Sequence, residues 1–141
     1  MDINFVQDNY SRSSFGVLRG LHFQLPPYEQ GKLVWVTSGE IFDVAVDLRK
    51  NSPTFLNYVS VILNEQNKQQ LWIPEGFAHG FTVLSKHADF KYKVSNYYNP
   101  GAERTIIWND INLNIDWPDI TKIISDKDKN GVQSKDLIKI L

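Results

Sequence analysis

At 141 residues the chain is long enough for one domain with a real core and too short for two. Hydrophobic residues at 42% and aromatics at 13% exclude a disordered chain, and 15 basic against 16 acidic residues leave a formal charge of −1, with no general attraction to nucleic acid or anionic membrane. The absence of cysteine excludes both a disulfide framework and a thiolate metal site.

The first residues, Met1-Asp2-Ile3-Asn4, lack the basic start and apolar run of a signal peptide, and no apolar stretch reaches bilayer-spanning length. A cytoplasmic protein is expected. Short runs rich in Val, Ile, Phe, Trp and Tyr, separated by Gly, Pro, Asn and Ser, then predict strands at Gly16–Phe23, Lys32–Thr37, Glu40–Leu48, Leu56–Leu63, Gln69–Ile73, Gly80–Ser85, Asp89–Asn96 and Thr105–Trp108. Ser38-Gly39 reads as a hairpin turn, and Asn99-Pro100-Gly101 as a second turn. In the run from 41 to 48, Phe42, Val44, Val46 and Leu48 share one face. Ile41, Asp43, Ala45 and Asp47 share the other, and Lys32-Leu33-Val34-Trp35-Val36 is similarly mixed. Such strands suit burial on both faces, next to an inter-sheet cavity or a dimer contact. Helix signals come late, as a turn or two at Asp119–Ile124 and a segment at Ser134–Leu141 with Ser134 as N-cap. The polar run from Ser125 to Gly131 between them reads as a loop. A single all-β domain over residues 1–141, with a short C-terminal helical segment, is expected.

The histidines are His22, His79 and His87. His22 shares its strand with Arg19, and simple alternation points the two side chains to opposite faces unless Gly20 marks a bulge. A core histidine satisfied by hydrogen bonds is the alternative to a functional one. His79 closes the spacing Pro74-x-Gly76-x-x-His79, which resembles the second motif of the cupin superfamily of small jelly-roll barrels. Metal-binding cupins pair that motif with His-x-His and a glutamate. This chain has His22-Phe23-Gln24 instead, so no metal is expected.

A closer resemblance covers nearly the whole chain. Phe5-Val6-Gln7-Asp8-Asn9, the block from Ser13 to Gln24, Lys32-Leu33-Val34, the blocks from Gly39 to Arg49 and from Leu71 to Leu84, Tyr92-Lys93, Tyr97-Tyr98-Asn99-Pro100, Ile107-Trp108-Asn109-Asp110, Ile115-Asp116-Trp117-Pro118 and Ser125-Asp126-Lys127-Asp128 together resemble the dTDP-4-dehydrorhamnose 3,5-epimerase family. The resemblance implies a cupin-type jelly roll, in a homodimer acting without cofactor on a nucleotide-linked 4-keto-6-deoxyhexose. Epimerisation at C3, C5 or both would pass through an enolate, and such sugars feed lipopolysaccharide, capsule and antibiotic glycosides. It further implies His22 as base, paired with Asp128, Lys32 at the enolate oxygen, and Tyr92 as the acid on the opposite face. Arg19 is implied at the diphosphate, Gln7 and Asn9 at the nucleotide, and His79 and Tyr98 along the sugar and phosphate. Each has a bland alternative: Lys32 as a solvated strand-start residue, Tyr98 as packing, Asp128 as a turn cap.

Members of that family carry several dozen residues ahead of the block that begins here at Phe5, including a Phe-Gly-Asp-x-Arg-Gly type stretch that crosses the dimer and lends an arginine to the neighbouring nucleotide site. The expectation from the short start is intact chemistry with a weaker hold on substrate. The alternative is a weakly active or silent relative that serves as a binding or assembly module.

Overall fold

The computed structural model describes residues 2–141. Its strands are β1 (Gln7–Ser14), β2 (Leu18–Gln24), β3 (Lys32–Ser38), β4 (Glu40–Asp47), β5 (Tyr58–Asn64), β6 (Gln70–Ile73), β7 (Phe77–Val83), β8 (His87–Val94) and β9 (Glu103–Thr105). They form two antiparallel sheets, one in the order β1-β8-β3-β6 and the other in the order β5-β4-β7-β2-β9. The all-β jelly-roll expectation holds, and eight of the strands fall on or beside expected runs.

β1 is the strand that sequence reading missed. Its sequence, Gln-Asp-Asn-Tyr-Ser-Arg-Ser-Ser, has almost no apolar alternation, because its inward positions Gln7, Asn9 and Ser11 are polar. It is held at the sheet edge by backbone pairing to β8, from Gln7 opposite Val94 to Ser14 opposite His87. Ser38-Gly39 is not a hairpin. β3 and β4 belong to different sheets, so Gly39, at φ +84°, turns the chain from one sheet to the other, and a Cβ there would lie 2.0 Å from the His87 carbonyl oxygen.

The inner strands β4 and β7 of the five-stranded sheet are buried on both faces, as the pattern in β4 suggests. Ile41 and Ala45 enter the core between the sheets with Val34, Val36, Phe81, Val83 and Phe90. Val44 and Val46 point the other way, into a second core with Leu18, Leu21, Ala78, Ile106, Leu113 and Trp117. The residues after β9 therefore form a cover on the outer face of that sheet. Full burial of one such aliphatic side chain contributes roughly 1.5–3 kcal/mol. Within the cover, the segment 119–124 is extended rather than helical, because Ile123 bridges to Val17 and its backbone satisfies Gly16 and Leu18. Two short helices follow, α1 (Asp126–Lys129) and α2 (Ser134–Leu137), the latter running into a 3-10 turn at Ile138–Ile140. Gln133 takes the N-cap position of α2, since the Ser134 hydroxyl is committed to Asp110.

The pairing of β2 with β7 shifts register between Arg19 and His22. Gly20 makes the shift possible. It sits at φ +119°, and a Cβ on it would lie 2.7 Å from both the Gly80 Cα and the His79 carbonyl oxygen. Arg19 and His22 consequently reach the same side of the sheet although three positions separate them. Gly20→Ala is expected to destabilise the protein by roughly 1–3 kcal/mol from backbone strain alone, with the clash adding to it, as a urea midpoint shift would measure.

Candidate functional site

Polarity changes across the space between the sheets. Toward β5 and β6 the inward residues are Ile41, Leu63, Ile73 and Val83, and that side is closed. Toward β1 and β9 the register brings polar rows together: Gln7 with Val94 and Lys32, Asn9 with Tyr92 and Val34, and Thr105 with His22 and His79. Such groups do not pack into a dry core. Of these residues Gln7, Asn9, His22, Lys32, His79 and Tyr92 line two adjoining cavities of about 320 and 310 Å³, which share Asn9, His22, Lys32 and Tyr92 and have a size suited to a small ligand.

His22 is held from outside its own sheet. Its Nε2 lies 2.6 Å from Oδ1 of Asp128, which α1 of the cover delivers, while Oδ2 of Asp128 accepts the Gly20 N–H at 3.0 Å. Ser125 caps α1 by accepting the Asp128 backbone N–H at 3.2 Å. Burial pushes the Asp128 carboxyl up, but the hydrogen bond and charge of His22, the Gly20 N–H and the Lys127 charge outweigh it and hold the group below its ordinary value. An ionised Asp128 only accepts, so the His22 Nε2 is the donor in this pair. The imidazole side chain remains 28% exposed against 4% for the carboxylate, so the pair presents the imidazole and hides its anchor.

Lys32 begins β3 with its Nζ 5.8 Å from the Tyr92 ring centroid. It keeps some contact with solvent, yet the dense surroundings of its ammonium lower its pKa to about 8, with the Glu103 and Asp43 carboxylates opposing the shift. Tyr92 moves the other way. Burial and the Glu103 charge raise its phenol, with Arg19 opposing, so the hydroxyl stays protonated at neutral pH. The His22 imidazole, the Lys32 ammonium and the Tyr92 phenol thus face one half-open space.

Every sequence-predicted site residue lines these cavities or, for Asp128, backs one directly. Gln7 and Tyr98 line one cavity, Arg19 and His79 the other, and Asn9 both. Gln7 donates to the Asn9 side chain at 2.9 Å, and Arg19 reaches the Ser13 hydroxyl at 3.3 Å. His79 is buried, stacked on Phe90 and bonded through Nε2 to Asp43 at 2.7 Å.

Three charged groups escaped the sequence reading. Glu103 lines the cavity and pairs with Lys127, which lines it as well. Glu103 was hidden because the last strand reads from the sequence as starting at Thr105, whereas it begins at Glu103 and sets that residue opposite Gln24. Lys127 lay in a run read as a loop. Asp43 shares its strand face with Asp47 and has no local motif to mark it; its partner is His79. Among the described residues, no group of three or more His, Cys, Asp or Glu side chains is placed to hold a metal ion, and no helix is long and apolar enough to cross a membrane.

The family model described as dTDP-4-dehydrorhamnose 3,5-epimerase matches residues 1–136. The enzyme of that name from Shigella flexneri is 60% identical over 129 residues, covering 92% of this chain and 71% of the relative. Among solved structures, the dTDP-4-dehydrorhamnose 3,5-epimerase of Elizabethkingia anophelis superposes with a TM-score of 0.93 at 50% identity, over 94% of this chain and 74% of the other. The dTDP-6-deoxy-D-glucose-3,5-epimerase of Legionella pneumophila, solved in complex with dTDP-4-keto-L-rhamnose, gives a TM-score of 0.91 at 54% identity over 94% and 71%.

Lys32 provides a test of the cavity's electrostatics that needs no ligand. Its Nζ resonance should titrate with a midpoint of about 8 rather than 10.5. Since the folded pKa lies below the unfolded one, the unfolded chain binds the extra proton between those two values. The Lys32 contribution to stability should therefore rise with pH across that window.

Proposed function

The chain belongs to the dTDP-4-dehydrorhamnose 3,5-epimerase family, and from that premise we propose how its cavity carries out the reaction. The observation that supports the reading best is the His22–Asp128 pair, which faces the same space as Lys32 and Tyr92. Nδ1 of His22 removes a proton from a carbon beside the C4 ketone of a dTDP-linked 4-keto-6-deoxyhexose. The C–H electron pair moves into the new C=C bond, and the carbonyl π pair moves onto the oxygen as an enolate. Asp128 keeps the imidazole in the required tautomer and stabilises its protonated form. The Lys32 ammonium meets the charge that develops on the oxygen, so it favours the transition state over the neutral ketone. Tyr92 then delivers its phenolic proton to the opposite face of the same carbon, and the carbonyl re-forms with inverted configuration. Proton exchange with water resets the tyrosinate and the imidazolium.

Binding falls to the groups around this centre. The Arg19 guanidinium takes the diphosphate, Gln7 and Asn9 take the nucleoside, and His79 and Tyr98 line the sugar and phosphate. The chain works as one domain, because the cover that closes the outer face also supplies Asp128. Family membership does not favour the reading as a silent binding module. A cytoplasmic site of action accompanies a nucleotide-sugar substrate.

A homodimer is part of the same proposal. On the outer face of the four-stranded sheet, Trp35 sits opposite Lys91 and next to the Tyr10 row, and Leu33 sits opposite Trp72. These side chains put three aromatic rings and a leucine, interleaved with Lys91 and Lys93, on the outer sheet face, where Tyr10 is exposed. Sedimentation velocity should give twice the 16.3 kDa chain mass, and Trp35→Glu should shift the protein toward monomer.

The chemistry is tested by turnover in deuterated water with a thymidine-diphosphate 4-keto sugar. His22→Asn should lower deuterium entry into the sugar ring by about 10²–10⁴-fold and leave the fold intact. Exchange near the wild-type rate in this variant would mean that another group is the base. With all groups intact, turnover should decline as pH rises through about 8, where Lys32 loses its proton.

A further inference from the structure

We propose that Asp110 and Ser134 are positioning residues that set the geometry of the His22–Asp128 pair. The proposal rests on His22 being the base. Asp128 lies on α1, a single helical turn of four residues that has too few internal hydrogen bonds to hold itself in place. Its position must come from where the chain is fastened on either side. Upstream, the Ile123 carbonyl accepts the Leu18 N–H and the Ile123 N–H reaches the Gly16 carbonyl, both at 2.9 Å. Downstream, Val132 donates to the Thr105 carbonyl at 3.0 Å and accepts from the Ile107 N–H at 2.9 Å. Thr105 pairs with His22, so base and carboxylate are both registered against the same short stretch of chain.

Asp110 locks the downstream end. Its carboxylate is 2% exposed and accepts the Ser134 N–H at 2.5 Å, the Ser134 hydroxyl at 2.7 Å and the Leu113 N–H at 3.0 Å. Among the described residues it has no salt-bridge partner, and it lines neither site cavity. Apolar side chains could fill that space, but they would not fix direction. Three convergent hydrogen bonds do fix it, and a buried carboxylate that loses one is penalised. Gly131 removes the remaining slack, since a Cβ there would lie 2.8 Å from the Ile107 nitrogen. The strap from 124 to 133 therefore cannot slide along β9 without breaking the Asp110 cluster or colliding with Ile107.

Ser134→Ala takes away one donor far from the cavity lining. The expected result is a folded protein whose kcat falls about ten- to a hundredfold, as displacement of a catalytic group by a fraction of an ångström to an ångström produces. KM should change less than about threefold, because the binding groups are left in place. The downfield proton resonance of His22 Nε2–H, read without substrate, should weaken or move upfield as its bond to Asp128 loosens. Gly131→Ala, which presses the strap from another point, should show the same two signatures and serves if Ser134→Ala does not fold. A folded Ser134→Ala or Gly131→Ala protein with wild-type kcat and an unchanged His22 resonance overturns the proposal. His22→Asn is run in parallel. If that variant still exchanges deuterium, the base assignment fails on its own, while the resonance in the strap variants still decides whether Ser134 and Asp110 position the pair.

Discussion

The hydrogen bond between His22 and Asp128 joins two parts of the molecule that the chain order keeps far apart. One partner is on an inner strand and the other on the cover that follows the last strand. Its 2.6 Å length depends on the Gly20 bulge, which turns His22 into the cavity and frees a backbone N–H for the same carboxylate. It depends equally on the apolar cover, whose packing on Leu18, Leu21 and Val44 brings α1 to the sheet. Remove either support and the imidazole loses its orientation. The second core thus has a chemical consequence as well as a stabilising one.

The cavity exists because the two sheets are unevenly filled. Where β4, β5, β6 and β7 supply Ile, Leu and Val, the sheets close on one another. Where β1, β2, β8 and β9 supply Gln, Asn, His, Tyr and Glu, these side chains keep their hydration or find partners, and space remains. An apolar wall behind and a polar front yield a half-open site beside a low-dielectric core, in which a charge such as Lys32 is less screened than in water. The same environment acts on two neighbouring groups in opposite senses, lowering the ammonium pKa and raising that of the phenol.

His79 and Asp43 make a second imidazole–carboxylate contact on the same sheet, with His79 paired opposite His22 on the neighbouring strand. The two differ in setting. His22 stays partly exposed, whereas His79 is buried and stacked on Phe90. An exposed imidazole with a free lone pair suits proton removal, and a fixed, enclosed one suits holding a bound group in place.

By itself, the sequence determined the β class, the strand runs with strong alternation, and the identity of the residues around the site, because each rests on local pattern or on blocks of residues kept in order. The two-faced character of β4 was legible for the same reason. β1 was not, since an edge strand whose inward residues are polar has no apolar period and is specified by its pairing to β8. Nor was the place of Ser38-Gly39, as a turn within a hairpin and a turn between sheets require the same glycine. The extended 119–124 segment and the helical turn carrying Asp128 were likewise decided by partners distant in the chain, Val17 for the first and Gly20 with His22 for the second. Only the tertiary structure could bring Glu103 and Lys127 beside the imidazole, because cross-strand register and the docking of the cover, unlike a motif, have no local signature.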